Sequence, residues 1–225
     1  MQEFFIKMAY KAVVVGGSGL IGRKLIKLLL AKPEYHSVVS LGRKRLQIKD
    51  TRLKQIIVDF DHLDEHVQEI NGHAVFCSLG TTRKQTPDLN DYRKIDHDYP
   101  LRMAEIAKRN GMEQFHLVSA IGANASSSNF YTKMKGDTEN AIKAVGLSCL
   151  FIYQPSILTG ERSRKRFAER LAIAAMKIID PFLFGKLRKY RSIPAETVAM
   201  AMYKQSLKTR TGVHIYASDK IKKRA

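Results

Sequence analysis

Ala12-Val13-Val14-Val15-Gly16-Gly17-Ser18-Gly19-Leu20-Ile21-Gly22 decides the architecture of this chain. Four consecutive apolar residues, three of them β-branched, predict a strand from Ala12 to Val15. The glycines after it stand as GxxGxxG at Gly16, Gly19 and Gly22, and an amphipathic helix to about Lys32 follows. A tight turn, a close backbone approach to a phosphate and close helix–strand packing each exclude a Cβ. A helix N-terminus, for its part, offers unpaired N–H groups to an anion. Strand, glycine turn and helix in this order predict a nucleotide site with its pyrophosphate against Gly16 to Gly22.

Outward from that unit, strand-length apolar runs alternate with helix-length segments. Strands are predicted at Val38 to Leu41, Ile56 to Val58, Ala74 to Leu79, Phe115 to Val118 and Leu147 to Tyr153. Helices are predicted from about Tyr92 to Asn110 and from about Phe130 to Val145. Six β units in about 150 residues predict an α/β fold with a doubly wound, Rossmann-like parallel sheet. Beyond Pro155 the alternation gives way to helices at about Arg166 to Ile179 and Ala195 to Ser206 and a late strand, Val213 to Ala217. The expected organisation is a nucleotide-binding domain over 8–160 and a small, mainly helical C-terminal segment, 161–225, packed on it.

The chain has 225 residues, 44% of them hydrophobic, enough for one sizeable core, and global disorder is excluded. Lys and Arg number 39 against 21 Asp and Glu, a formal charge of +18. Residues 1–160 hold 22 basic and 16 acidic side chains, and 161–225 hold 17 and 5, so most of the excess is C-terminal. Such a field draws anions: nucleic acid, an anionic membrane or a polyanionic small molecule. Cys77 and Cys149 lie in apolar runs without CxxC or Cys/His spacing, which disfavours a disulfide framework or zinc ribbon and suits a reducing cytoplasm. Met1 to Lys7 is too short for a signal peptide core and reads as a loose extension. The apolar stretch Leu171 to Leu187 is broken by Lys177, Asp180, Pro181 and Lys186, which excludes a membrane span.

The end of the second strand selects the nucleotide. An NAD site places an acid there for the ribose hydroxyls, whereas Ser37 to Lys49 contains none and reads Leu41-Gly42-Arg43-Lys44-Arg45. Arg43 and Lys44 suit a 2′-phosphate, so NADPH/NADP is the expected cofactor. Asp59-Phe60, ending the third strand, stands where it would touch the adenine, although Asp59 is equally suited to cap the next helix.

Tyr131-Thr132-Lys133-Met134-Lys135 supplies YxxxK at the start of a helix, and the i, i+4 spacing puts Tyr131 and Lys135 on one face. A phenol ionises near pH 10, and a neighbouring ammonium favours the phenolate. The pair can pass a proton to or from a carbonyl or hydroxyl while hydride moves at a nicotinamide. The chain here resembles the atypical or extended short-chain dehydrogenase/reductases, and among them the bacterial relatives of the human Tat-interacting protein. The resemblance rests on Gly16 to Gly22, Cys77-Ser78-Leu79-Gly80-Thr81-Thr82-Arg83, Leu117-Val118-Ser119-Ala120-Ile121-Gly122-Ala123, Phe130-Tyr131 with Lys135-Gly136, and Pro155 with Gly160-Glu161-Arg162. It covers about residues 8–165.

The resemblance implies that Gly16, Ser18, Gly19, Leu20, Ile21 and Gly22 cradle the pyrophosphate, Arg43 and Lys44 hold the 2′-phosphate, and Asp59 and Phe60 border the adenine. It places Leu79, Gly80 and Thr81 toward the nicotinamide half, with Pro155 and Ile157 near the nicotinamide. Tyr131 would handle the proton, and Lys135 would bind the nicotinamide ribose and lower the tyrosine pKa. Two departures concern catalysis: Ala120 stands where the second member of a Ser-Ser pair is usual, leaving Ser119, with Ser126 to Ser128 as substitutes. Gln154-Pro155-Ser156 replaces the frequent Arg-Pro-Gly.

Other signals are weaker. His62-Leu63-Asp64-Glu65-His66 matches an inverted zinc-protease pattern but falls on a short crossover with no distant third ligand, so no metal is expected. Arg162 to Arg170 and Lys186 to Arg191 form a basic belt without a nucleic-acid motif; a solvated basic face is the favoured reading, with an anionic small-molecule substrate or a protein partner as the alternatives. Peripheral membrane contact is the less favoured reading. Three functions stay open: an NADP-dependent oxidoreductase acting on a small carbonyl or alcohol, with full or vestigial turnover; an NADPH-sensing regulatory protein; and an epimerase or isomerase on the same scaffold.

Overall fold

A computed structural model describes residues 9–160 and 180–225. The expected helix at 166–179, the extension at 1–7 and the basic cluster at 162–170 lie outside the described residues. The strands are β1 (Tyr10–Val15), β2 (Tyr35–Gly42), β3 (Leu53–Ile57), β4 (Ala74–Cys77), β5 (Gln114–Val118), β6 (Cys149–Gln154), the short pair β7 (Leu158–Thr159) and β8 (Ile193–Pro194), and β9 (Gly212–Ala217). The helices are α1 (Leu20–Leu30), α2 (Leu89–Arg93), α3 (Tyr99–Arg109), α4 (Phe130–Ala144), α5 (Ala195–Ser206) and α6 (Ser218–Lys222).

Seven parallel strands form one sheet in the order β3-β2-β1-β4-β5-β6-β9. The Rossmann-like doubly wound α/β fold is therefore present. The chain turns outward in opposite directions from β1 and β4, which makes the crevice at their carboxyl ends the switch point where such sheets bind ligands. The late strand is more than a C-terminal addition: β9 pairs with β6 over six residues and completes the sheet.

Each face of the sheet carries its own core. Val14, Phe76, Phe151 and Tyr153 pack against Leu25 of α1 and Ala199 and Met202 of α5. The small residues on α5 leave room for the aromatic rows of β4, β6 and β9 beneath it. Val13, Val15, Val75, Leu150 and Ile152 face the other way, toward Met103, Ile106 and Ala107 of α3 and Ile142 of α4. Central strands covered on both faces need continuous apolar runs, which explains Ala12 to Val15. Edge strand β9 buries Tyr216 but leaves Val213 and Ile215 exposed.

The helix expected over Tyr92 to Asn110 is interrupted. Between α2 and α3, residues Lys94–Asp98 form one wide π turn, with Tyr99 N–H bonded to Lys94 C=O. Pro100 accounts for it: a proline lacks the N–H for an α-helical bond to residue 96 and crowds that carbonyl. The Asp96 carbonyl instead accepts from Thr138 Oγ1 at 3.0 Å.

Candidate functional site

The turn after β1 opens the site. Gly16 sits at φ +84, and a Cβ there would lie 2.6 Å from the Ser78 carbonyl oxygen. At Gly22 a Cβ would lie 2.3 Å from the Gly16 carbonyl oxygen, so these two glycines bring turn, helix and β4 into contact. Gly19 begins α1 without a side-chain cap, and the first helical turn carries no acid. The first N–H groups of an 11-residue helix thus face the crevice beside exposed Ser18 and Gly19, a donor set that fits a pyrophosphate.

The other expected cofactor residues lie at carboxyl ends of strands along the same edge. Arg43 and Lys44 follow β2, both exposed and without a hydrogen-bond or ion-pair partner among the described residues. Leu79, Gly80 and Thr81 follow β4, and Ser119 follows β5. Pro155 and Ile157 follow β6: the Pro155 carbonyl accepts from Ile121 N–H at 3.0 Å, and Ile157 is exposed. At the end of β3, Asp59 caps the following 3-10 helix by accepting from Asp61 N–H at 3.1 Å. Phe60 is turned into the core, its ring stacked on Tyr99 at 5.3 Å.

Helix α4 brings the proton-transfer candidates to this edge. Asn129 caps it, accepting from the backbone of Tyr131 and Thr132. Gly136 lets the loop after β5 lie directly on the helix, since a Cβ would meet Ala125 N at 2.1 Å. That contact ties the Ser119-bearing loop to the Tyr131 turn. Tyr131 remains 42% exposed, whereas Lys135 one turn later is buried.

Lys135 has a partner that the motif did not announce. Its Nζ lies 2.7 Å from Asp96 Oδ1, and Asp96 Oδ2 accepts from Thr81 N–H at 2.7 Å. Burial works to lower the ammonium pKa, but Asp96, by charge and hydrogen bond, together with Tyr131 and Cys77 outweighs it and the net displacement is upward. At Tyr131, withdrawal from water raises the phenol; Lys135 acts in the expected downward direction, Asp96 opposes it, and the net displacement is also upward.

Ser119 is engaged as well. Its Oγ donates to Glu139 Oε1 at 2.5 Å, and Gln154 Nε2 donates to both oxygens of that buried carboxylate, at 2.8 and 3.1 Å. Of the alternative serines, Ser127 is hydrogen-bonded to Thr132 at 2.6 Å. Asp96 and Glu139 are the site residues that sequence reasoning missed. Pro100 inside a helix-length segment was a signal for the first; for the second there was only its i, i+4 position from Lys135.

Away from this edge, Cys77 and Cys149 are buried thiols, each raised by burial to about 11. His62 lies exposed on the irregular 3-10 segment with His66, and no group of three or more metal-ligating side chains occurs among the described residues. Within the basic belt, Arg191 donates to the Leu183 and Pro181 carbonyls.

Fold and site together define a nucleotide-binding protein of the short-chain dehydrogenase/reductase type. Residues 16–177 match the NAD(P)H-binding family, and the chain belongs to it. It is 36% identical to Protein HTATIP2 of Rattus norvegicus over 177 residues, 76% of this chain and 72% of that protein. It is 32% identical to Protein FMP52, mitochondrial, of Saccharomyces cerevisiae over 157 residues, 68% of each chain. Solved structures share the fold at lower identity. MoeE5 in complex with UDP-glucuronic acid and NAD superposes with a TM-score of 0.71 at 18% identity, covering 92% of this chain and 76% of that one. UDP-glucuronic acid 4-epimerase from Bacillus cereus, in complex with NAD, gives 0.68 at 16%, with 92% and 77% covered. The likeness to the Tat-interacting protein group is thus shown, as an atypical short-chain dehydrogenase/reductase.

Proposed function

We propose that this protein is an NADP-dependent oxidoreductase of the short-chain dehydrogenase type, acting on a small carbonyl or alcohol. The observation that carries the reading is the gathering of the glycine turn, Arg43 and the Tyr131–Lys135 pair along one carboxyl edge of the sheet. The glycine backbone and the start of α1 would hold the pyrophosphate, and Arg43 with Lys44 the 2′-phosphate that NADPH carries and NADH lacks. When bound, the nicotinamide supplies or accepts the hydride. Tyr131 donates its phenolic proton to the substrate oxygen in reduction and takes it back in oxidation. Lys135 keeps a positive charge beside it and presents donors to the ribose. The C-terminal basic belt suits an anionic substrate or a protein partner.

A second reading is a regulatory protein that senses NADPH with little turnover. Its support is the engagement of Ser119 by Glu139 and of Lys135 by Asp96, which ties up groups a fast dehydrogenase would turn toward substrate and cofactor ribose respectively. The epimerase reading keeps only the fold likeness to sugar-nucleotide enzymes. We propose a cytoplasmic location because Cys77 and Cys149 are buried and unpaired, which suits a reducing compartment. The yeast relatives are named mitochondrial, which makes fractionation the deciding measurement.

The test is thermal shift with NADPH against NADH, followed by a carbonyl panel with the parent and Tyr131→Phe. Turnover that survives the substitution intact removes Tyr131 from the chemistry. Tight NADPH binding with no turnover across the panel selects the sensor. The chain has no Trp, so cofactor binding must be followed by calorimetry or thermal shift rather than by energy transfer from tryptophan.

A further inference from the structure

Among the described residues, Lys135 and Asp96 are the one ion pair with both side chains under a tenth exposed, at 7% and 1%. Neither charge has bulk water to solvate it, so each depends on the other and on fixed dipoles. Asp96 is held for this purpose from three directions. The π turn Lys94–Asp98 sets its backbone, Thr138 Oγ1 bonds its carbonyl, and Thr81 N–H bonds the carboxylate oxygen that Lys135 does not take. One carboxylate therefore joins the loop after β4 to the helix that carries Tyr131. A Cβ added to Gly80, inside that loop, would lie 3.6 Å from Asp96 Oδ1 and 3.9 Å from Lys135 Nζ, so the pair borders the stretch expected to meet the cofactor.

We propose that Asp96 is a positioning residue for the Tyr131–Lys135 pair: it is the counter-ion that holds the Lys135 ammonium beside the Leu79-Gly80-Thr81 loop and offsets its charge at the Tyr131 phenol. The proposal rests on reading Tyr131 as the proton-transfer residue. A lysine one turn from a tyrosine favours the phenolate only as far as its charge is uncompensated. Here the compensating carboxylate is in direct contact, and Lys135 and Asp96 act on Tyr131 in opposite directions. The other titratable groups facing the pair are Cys77 at the end of β4 and Tyr92 of α2. Burial raises both, Cys77 to about 11, so they are uncharged at neutral pH and the balance lies between Lys135 and Asp96.

The test is titration of Tyr131 in the full chain, followed through tyrosine 13Cζ resonances with Tyr131→Phe providing the assignment. Asp96→Asn should move the ionisation down by about one pH unit or more, the lower range for a neighbouring charge. That substitution leaves a buried ammonium without its partner and endangers folding. The double variant Asp96→Asn with Lys135→Met removes both charges, and its Tyr131 should titrate within about half a unit of the parent. An unmoved ionisation in folded Asp96→Asn, or a double variant displaced by more than about half a unit, overturns the proposal. Where turnover is measurable, the pH–rate profile of Asp96→Asn should shift toward acid with the titration. Absence of turnover in the parent would remove the oxidoreductase reading and leave the titration result standing. Normal turnover with an unmoved titration would remove Asp96 alone.

Discussion

Ser119 Oγ and Glu139 Oε1 are 2.5 Å apart, linking the end of β5 to the buried face of α4 with the serine as donor. The serine that the motif offers to a substrate oxygen has its proton directed at a carboxylate inside the protein. Gln154, standing where the resembled family often has Arg, completes that carboxylate's shell with a neutral amide.

Ser119→Ala should therefore destabilise the fold. A hydrogen bond to a charged group contributes about 1.5–3 kcal/mol, and Glu139 would keep only Gln154 and a distant Lys143. Urea denaturation of the variant measures the loss; unchanged stability would mean that the hydroxyl is available to substrate after all.

Gly22→Ala should cost stability and nucleotide affinity together, because its Cβ would meet backbone at 2.3 Å. Overpacking of this kind costs about 1–3 kcal/mol. At Gly19 a Cβ would lie 3.2 Å from the Gly16 carbonyl, so Gly19→Ala should lose less stability while still weakening nucleotide binding. Parallel melting curves with and without NADPH separate the two effects, and equal losses in stability would contradict the packing argument.

Arg43→Ala should weaken NADPH binding about tenfold or more and leave NADH binding nearly unchanged, since one charge-assisted contact is worth at least about 1.4 kcal/mol. Calorimetry with both nucleotides checks this. Equal losses for the two would assign Arg43 to the shared part of the cofactor.

His116 sets an acid-side prediction. Its ring lies buried between Phe76 and Phe151, 3.0 Å from Tyr153 Oη and 3.0 Å from Gln114 Oε1, and burial holds its pKa well below the usual histidine value. The unfolded chain takes up a proton near pH 6.5 and the folded one does not, so stability is complete above that pH and declines as pH falls toward the depressed folded value. The slope is about 1.4 kcal/mol per pH unit for one proton. His116→Phe should flatten the decline in urea midpoints between neutral pH and pH 5; an identical slope in the variant would show that another group is responsible.

Much of the site could be read from spacing because the interactions that build it are local. Gly16, Gly19 and Gly22 follow from the backbone a β–turn–α unit requires, and Tyr131 and Lys135 share a face because they are one helical turn apart. Helix α5 was expected over its observed span, since Ala195 to Ser206 follows Pro194 and carries its own periodicity. The sequence pattern predicts an unbroken helix over Tyr92 to Asn110, although Pro100 stands within it. What that proline does depends on Thr138, 42 residues from Asp96, which takes over the displaced carbonyl.

The sequence by itself determined a dinucleotide-binding sheet, the turn that opens it and the pair of residues offered for proton transfer, because each of these is a matter of backbone conformation or of neighbours within a few residues. The tertiary structure alone decided which charges face one another. Asp96 meets Lys135 and Glu139 meets Ser119 only after the sheet order has brought α4, the π turn and the ends of β4, β5 and β6 to one edge. Burial then decides their effect: a lysine in water would be an independent cation beside Tyr131, whereas this one, withdrawn from water, carries its counter-charge with it.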